Sequence, residues 1–195
     1  MSDDTRAALR RAEDELVAAQ NYARTLEVQL LQTMADALPA QVEELARRTA
    51  HSQPDVTKSL GKEGVAKLRA ELASKAEELA ATVRGGVDAV EWPQPQSTFS
   101  PVSGHQVQTA LFRPLFGRHL DGLALIFKGA GFHVHDNNAR REQGLVGPQS
   151  LFSASHLEGQ FAAVAEALNG IAVARRAVAD ARAADDKDAV DELWT

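Results

Sequence analysis

The sequence predicts a mainly α protein in which long helices pair as an antiparallel coiled coil or helical bundle and carry a small α+β insert. Three observations support this fold class. Alanine and leucine dominate an apolar fraction of 44%, whereas aromatic residues make up only 5%. Such a composition favours long helices, because alanine loses no side-chain entropy on entering one. The first forty residues also follow a heptad pattern, and the middle of the chain has a different composition from either end.

The heptad pattern is the clearest signal in the chain. Small and apolar residues recur from position 9 to position 37 in alternating steps of three and four. This spacing places them along one side of a helix and is typical of a coiled-coil seam. The seam positions are Leu9, Ala12, Leu16, Ala19, Ala23, Leu26, Leu30, Thr33 and Ala37.

About half of this seam is alanine, which lets a partner helix approach closely and favours an antiparallel pair over a leucine zipper. At about 1.5 Å per residue, a helix over residues 3–37 would be roughly 50 Å long. A seam of that length requires a partner helix of similar length. We therefore expect self-association through Leu9, Leu16, Leu26 and Leu30, giving a homo-oligomer that is most simply a dimer.

Prolines and glycines divide the first segment, residues 1–86, into helical pieces. Pro39 predicts a kink or a fresh helix start, and Pro54 suits the first position of the next helix. The pair Leu60-Gly61 predicts a second interruption. An apolar stripe then runs to Val83 and ends at the glycines of residues 85–86.

The second segment, residues 87–150, reads as a small α+β module. The stretch at 93–104 is rich in Pro, Gln and Ser and predicts an extended linker. A helix interrupted near Pro114 is expected over residues 105–118. Alternating or short apolar runs predict strands at 87–92, 122–128 and 132–135.

The third segment, residues 151–195, predicts a helix followed by an acidic tail. Ser155 and Glu158 have capping-box spacing at its start, and a break is expected near Asp185. The last residues, Leu193 and Trp194, could dock into an unknown partner protein or fold back onto the chain itself.

Composition excludes several classes of protein. The net charge is −6, which argues against a general affinity for nucleic acid or anionic lipid. Without cysteine there are no disulfides, thiolate nucleophiles or cysteine-ligated zinc sites. The N-terminus is acidic and lacks the apolar run of a signal peptide, and no apolar stretch is long enough to cross a bilayer. A cytoplasmic protein is expected.

Two constellations in the middle segment could bind ligands. On a strand, His133 and His135 would share a face and could hold zinc together with a third ligand such as His119, Asp121 or Asp136. The alternative is that an alternating strand simply places two polar residues on its solvated side. His-x-His alone lacks the remaining ligands that make a metal motif specific.

The second constellation combines basic and aromatic residues, a combination that binds nucleotides or single-stranded nucleic acid. The phenylalanines could equally form the core of a small domain, with the basic residues on its surface. The basic residues are Arg113, Arg118, Lys128, Arg140 and Arg141, and the phenylalanines are Phe99, Phe112, Phe116, Phe127 and Phe132.

No catalytic motif supports an enzyme. The glycines at 129–131 lack the Lys-Ser/Thr ending of a phosphate-binding loop, and no nucleophile elbow is present. The sequence therefore favours a non-enzymatic scaffold, adaptor or assembly protein that acts through coiled-coil self-association. A nucleic-acid- or nucleotide-associated regulator and a metal-dependent activity at the central histidines remain the alternatives.

Overall fold

A computed structural model describes residues 3–95, 100–134 and 155–193, and the mainly α prediction is confirmed. This part of the chain contains four α-helices and one short 3-10 helix, and none of its residues belongs to a β-strand. The helices are α1 (Asp3–Ser52), α2 (Pro54–Gly85), α3 (Gly104–Gly129) and α4 (Ser155–Leu193), with the 3-10 helix at Gly86–Ala89.

The chain forms two compact units, and three of the helices contribute to both. Unit 1 contains Met1–Glu27, Pro93–Val107 and Gln160–Thr195. Unit 2 contains Val28–Trp92 and Gln108–Gly159. Each unit therefore draws on all three segments that the sequence suggested, 1–86, 87–150 and 151–195.

In unit 2, α1 and α2 run antiparallel and are tied by cross-helix contacts. The Thr57 hydroxyl lies 2.9 Å from the Ala50 carbonyl oxygen, near the turn between the helices. Farther from the turn, Arg69 pairs with Glu43, and Arg84 Nη2 donates to Asp36 Oδ1 at 3.0 Å. These contacts fix the register of the helical hairpin.

The interruptions expected in these two helices have different outcomes. Helix α2 begins at Pro54 and ends at Gly85, as predicted, and Gly61 kinks it with a φ of 65°. Pro39, in contrast, lies inside an uninterrupted α1, so the predicted new helix start there is wrong. Its ring is on the exposed side, while Leu38 and Val42 on either side are buried. We attribute the persistence of the helix to this packing, which opposes the cost of about 3 kcal/mol for an internal proline.

The buried face of α1 changes register within unit 2. After Leu30 the fully buried side chains fall one position later than the predicted seam, so that Thr33 and Ala37 are only half-buried. Leu30, on the predicted seam, and Leu31, next to it, are both buried, and the buried face of α1 continues from Leu31. The buried residues that follow are Leu31, Met34, Ala35, Leu38, Val42, Leu45, Ala46 and Thr49.

Helix α3 corrects the prediction of a strand at 122–128. Residues 122–128 lie inside this helix, and Leu120, Leu123 and Phe127 are buried at helical spacing. Pro114 also lies within α3 and does not interrupt it. A short apolar run cannot distinguish a buried strand from a buried helix face, which is why the sequence pattern misled.

Beyond α3 the chain turns back onto the α1–α2 hairpin. Gly131 adopts a φ of +88°, and the Phe132 amide donates to the Phe127 carbonyl. Gln53 then bonds the backbone of His133 twice: its Oε1 accepts from the His133 amide at 2.8 Å, and its Nε2 donates to the His133 carbonyl at 3.2 Å. Residues 132–134 are held by this side chain and form no strand, so the strand predicted at 132–135 is wrong over this range; residue 135 lies outside the described residues.

The strand predicted at 87–92 is also wrong. Residues 86–89 form the 3-10 helix, and the Trp92 indole donates to the Val87 carbonyl at 3.1 Å. Gly86 is packed so closely that an added Cβ would lie 2.3 Å from Leu115 Cδ2. The close contact between this turn and α3 explains why a glycine is needed there.

In unit 1, the first half of α1 contacts α4, again in antiparallel order. The Thr5 hydroxyl donates to Asp185 Oδ1 at 3.1 Å, and Arg182 Nη2 lies 3.3 Å from Glu13 Oε1. Helix α4 begins at Ser155, as the capping-box spacing predicted, but it passes through Asp185 without the expected break. Because a helix formed by alanines and charged residues needs little tertiary support, these acidic residues do not end it.

Candidate functional site

The predicted seam is the covered side of α1 in unit 1. Among residues 4–30, the side chains that are not exposed all fall on or next to seam positions. Ala12, Ala23 and Leu30 are buried, whereas Leu9, Leu16 and Leu26 are only half-buried. Within unit 1, Ala12 and Ala23 are therefore the fully packed seam residues, and the three leucines of the seam remain partly open to solvent.

The outer parts of α1 and α4 form what we call the two-helix arm, residues 4–22 and 172–190. Ala12 is the one buried residue among these positions. The third chain segment of unit 1 contacts α4 at the base of this arm: the Asn169 side chain donates to the Val102 carbonyl at 3.0 Å and accepts from the Val102 amide at 2.8 Å, and Arg175 Nη1 donates to Gln94 Oε1 at 3.3 Å. An arm of two helices with so small a core is expected to have little stability of its own.

Large apolar side chains are exposed on this same arm. Val17, Tyr22, Val173 and Val190 are each more than half exposed. Isolated apolar side chains on a surface are ordinary, but here they occur along a helix pair that lacks a buried core. Together with the half-buried leucines, they provide apolar area that a further helix or helix pair could cover.

The charges of the arm favour its antiparallel order. On α1 a basic cluster precedes an acidic one, and α4 has the same order along the chain, with Arg182 before a mainly acidic cluster. Opposite charges therefore meet when the helices run antiparallel, as the pair between Arg182 and Glu13 illustrates. The charged residues at this end of α1 are Asp4, Arg6, Arg10, Arg11, Glu13, Asp14 and Glu15, and those at the facing end of α4 are Arg182, Asp185, Asp186, Lys187 and Asp188.

A second group of polar side chains surrounds His119 in unit 2. Thr82 Oγ1 lies 3.1 Å from the Glu78 carbonyl oxygen and 3.2 Å from His119 Nε2. Because the hydroxyl has one proton and the carbonyl can only accept it, Nε2 is the donor in the contact with His119. Nδ1 then carries the lone pair of a neutral ring. This nitrogen is buried without a hydrogen-bond partner, 3.8 Å from Glu78 Oε1.

The surroundings of His119 favour the neutral form of its ring. Burial lowers the pKa of His119, the positive charge of Lys75 lowers it further, and Glu78 opposes the shift. Glu78 accepts a hydrogen bond from Lys75 Nζ at 2.8 Å, which lowers the pKa of its carboxyl group. Nδ1 of His119 is closed to solvent, although another part of the His119 side chain lines a cavity of about 740 Å³ together with Thr82 and Arg118.

We predict that His119 makes the stability of unit 2 depend on pH. Its pKa is lower in the folded chain than its ordinary value of 6.5. As the pH falls through that value, the unfolded chain binds a proton before the folded one does, so the free energy of unfolding decreases. Above that pH the contribution is constant. Urea denaturation of the protein and of His119→Gln, whose amide can replace the Nε2 donor, should show a weaker loss on acidification in the variant. Equal losses would contradict the prediction.

The structure separates the histidines that were predicted to share zinc. His119 contacts Thr82 near the end of α2, whereas His133 is bonded to Gln53 before its start. From Gly61 to Thr82 alone, α2 is about 30 Å long at 1.5 Å per residue. His119 and His133 therefore cannot hold one ion, and among the described residues no three His, Asp or Glu side chains form such a group. His135 lies outside the described residues.

The predicted basic and aromatic residues are also distributed differently from the expectation. Phe116, Phe127 and Phe132 are buried in unit 2, where they form core rather than surfaces for stacking. Arg118 is exposed, and Lys128 lies ten residues later, about 15 Å along α3. The side chain of Arg113 is not described, and Phe99, Arg140 and Arg141 lie outside the described residues.

The remaining predicted site is the C-terminal pair. Helix α4 ends at Leu193, whose side chain is not described, and Trp194 lies outside the described residues. Docking of this pair to a partner stays a prediction. Among the helices that the structure describes, none has a stretch long and apolar enough to cross a membrane.

The polar group around His119 was not recognised from the sequence, apart from His119 itself. Lys75, Glu78 and Thr82 follow helical spacing on α2, which is equally typical of a solvated face. Only the packing of α3 against α2 reveals that they surround an imidazole. No local motif could have shown this.

Comparison of the chain with models of protein families, with curated proteins and with solved structures finds no match. The functional argument therefore rests on the residues and contacts described above.

Proposed function

We propose that this protein is a non-enzymatic scaffold or assembly protein that self-associates through the two-helix arm. The arm of one copy packs against the arm of a second copy, and the two form a four-helix coiled coil. The observation that carries the proposal is the poor burial of the arm, in which Ala12 alone is fully packed among residues 4–22 and 172–190.

Burial of apolar area supports this function. Leu9 and Leu16 are half-buried in the arm, and Val17, Tyr22 and Val173 are exposed on the same two helices. Covering such side chains stabilises a protein by about 25 cal/mol per Å² of apolar surface. Since the helices are already paired antiparallel, a second pair can be added without rearranging either copy. Symmetric dimers of this kind bury the same surface on both subunits.

A homo-oligomer with exposed ends is suited to holding other proteins. The C-terminal residues Leu193 and Trp194 are our candidates for docking such a partner, and we place the protein in the cytoplasm. An enzymatic role is not proposed, because Nδ1 of His119, the nitrogen of that ring left without a proton, is buried. Nucleic-acid binding would need cations and accessible aromatic rings together, and Phe116, Phe127 and Phe132 are buried.

Amide hydrogen exchange at two protein concentrations tests this proposal locally. Amides of residues 4–22 and 172–190 should become more protected in the concentrated sample, because association covers the arm. Amides of α1 near Leu38 and Val42, which are buried within unit 2, serve as the internal control and should not change. Identical protection of the arm at both concentrations would contradict the proposed function.

A further inference from the structure

A cavity of about 360 Å³ opens between α1 and α2 in unit 2. Its inner wall is apolar and includes Ala46, Leu68 and Phe132, all of which are buried. Ala50 and Val65 extend this wall and are half-buried. Apolar pockets of roughly 300–1,000 Å³ are the usual size of small-molecule sites, and a cavity of about 150 Å³ is enough to bind benzene.

Two structural features near the turn between α1 and α2 determine where the cavity lies. Gly61 kinks α2 near this end, and Gln53 holds the backbone of His133. Phe132 is thereby placed against the two helices, and its ring meets that of Phe127 edge-on at 6.1 Å. The wall is therefore assembled from three parts of the chain that are fixed by hydrogen bonds and packing.

The mouth of the cavity is charged. Arg47, Arg69 and Glu43 all line it, so cations outnumber anions among its lining residues. Arg69 on α2 pairs with Glu43 on α1. Arg47 is held by Glu44, whose Oε2 accepts from Nε at 2.7 Å. Both guanidinium groups are more than half exposed and present several N–H donors each, so a further anion can bind them.

We propose that this cavity binds a small amphipathic carboxylic acid. The hydrocarbon part lies between the helices, and the carboxylate lies at the mouth beside Arg47 and Arg69. An arginine guanidinium matches a carboxylate through two parallel hydrogen bonds. The entering carboxylate competes with Glu43 for Arg69. The site is independent of the two-helix arm, so it can be tested whether or not the protein self-associates.

A matched pair of ligands separates the apolar from the ionic part of the site. Octanoate and 1-octanol have the same chain length but differ in charge. Titration of the protein with each, followed by NMR of its methyl groups, should shift the signals of Ala46, Ala50 and Val65. Octanoate is expected to bind more tightly than the alcohol. Shifts that are absent, or that are spread over the whole chain, would overturn the proposal.

Substitutions of the cation and of the anion at the mouth of the cavity should change the affinity for octanoate in opposite directions. Arg69→Gln should weaken octanoate binding about two- to fivefold, the range of an exposed ion pair, while leaving octanol unchanged. Glu43→Gln removes the competing carboxylate and should strengthen octanoate binding by a similar factor. Lys62→Gln is the matched control, since Lys62 is an exposed cation of α2 that does not line the cavity. Equal responses of acid and alcohol would rule out the ionic contact.

A substitution that fills the cavity tests whether the hydrocarbon part of the ligand binds there. Ala50→Phe should abolish binding of both ligands, because the added ring occupies the same space. Ala40→Phe places the same ring at an exposed position of α1 and should leave binding intact. Unchanged binding in Ala50→Phe would show that the ligands lie elsewhere. Because the two charge variants concern exposed side chains, the proposal stays testable even if Ala50→Phe fails to fold.

Discussion

Replacing Leu38 with Ala is expected to lower the free energy of unfolding by about 2–5 kcal/mol, the range for a leucine removed from a packed core. Leu38 has no exposed surface and lies on the buried face of α1 in unit 2. The residue before Pro39 is thus the point where tertiary packing holds α1 together. Loss of this contact should also weaken the helix at the proline, since little else opposes the kink there.

Leu26→Ala is the matched comparison on the same helix. Leu26 belongs to the predicted seam but is only half-buried, so the same substitution should cost less than about 2 kcal/mol. Urea denaturation of both variants gives the comparison. An equal or greater loss at Leu26 would mean that this seam position is packed as fully as Leu38, contrary to the structure.

The difference in burial between Leu26 and Leu38 shows over which part of α1 the heptad pattern predicts the buried face. Spacing alone located the covered side of α1 from Leu9 to Leu30. Farther on, the helix has neighbours from unit 2, and the buried positions move to Met34 and Leu38. A sequence pattern records which side chains are apolar, but Thr33 and Ala37 are small enough to fit either face. Only the packing of α2 and α3 decides between the two registers.

Helix α3 illustrates a different reason why the sequence pattern did not predict the structure. Phe116, Leu120, Leu123 and Phe127 are buried at steps of four, three and four, which suit one helix face, and this signal was present in the sequence. It was obscured by Pro114 within the helix and by the apolar run at 122–128. Pro114 predicted a break and the short apolar run predicted a strand. The longer helical periodicity is the pattern that matches the packed helix.

The candidate sites were less predictable than the helices. Sequence placed His119 and His133 close together because it assumed two adjacent strands. The helix that replaces one of those strands carries His119 away from His133, toward Thr82. The cavity beside Phe132 had no sequence signature at all, since its wall combines α1, α2 and the turn after α3. Sites assembled from distant parts of a chain depend on the fold and cannot be read from local patterns.

Disruption of the two-helix arm is the second large effect that we expect. Leu9→Asp combined with Leu16→Asp introduces two carboxylates into the half-buried seam. Burying them against a second copy would be costly, so the double variant should not associate. Leu125→Asp, at a leucine on α3 that is 67% exposed and outside the arm, is the matched control and should associate like the unaltered protein.

Light scattering over a range of micromolar concentrations measures this association directly. The chain has a mass of 21.0 kDa, and we predict that the unaltered protein approaches twice this mass as its concentration rises. The Leu125→Asp protein should do the same, and the double variant should remain a monomer with its helicity retained. A mass of 21.0 kDa for the unaltered protein at every concentration would contradict self-association through the arm.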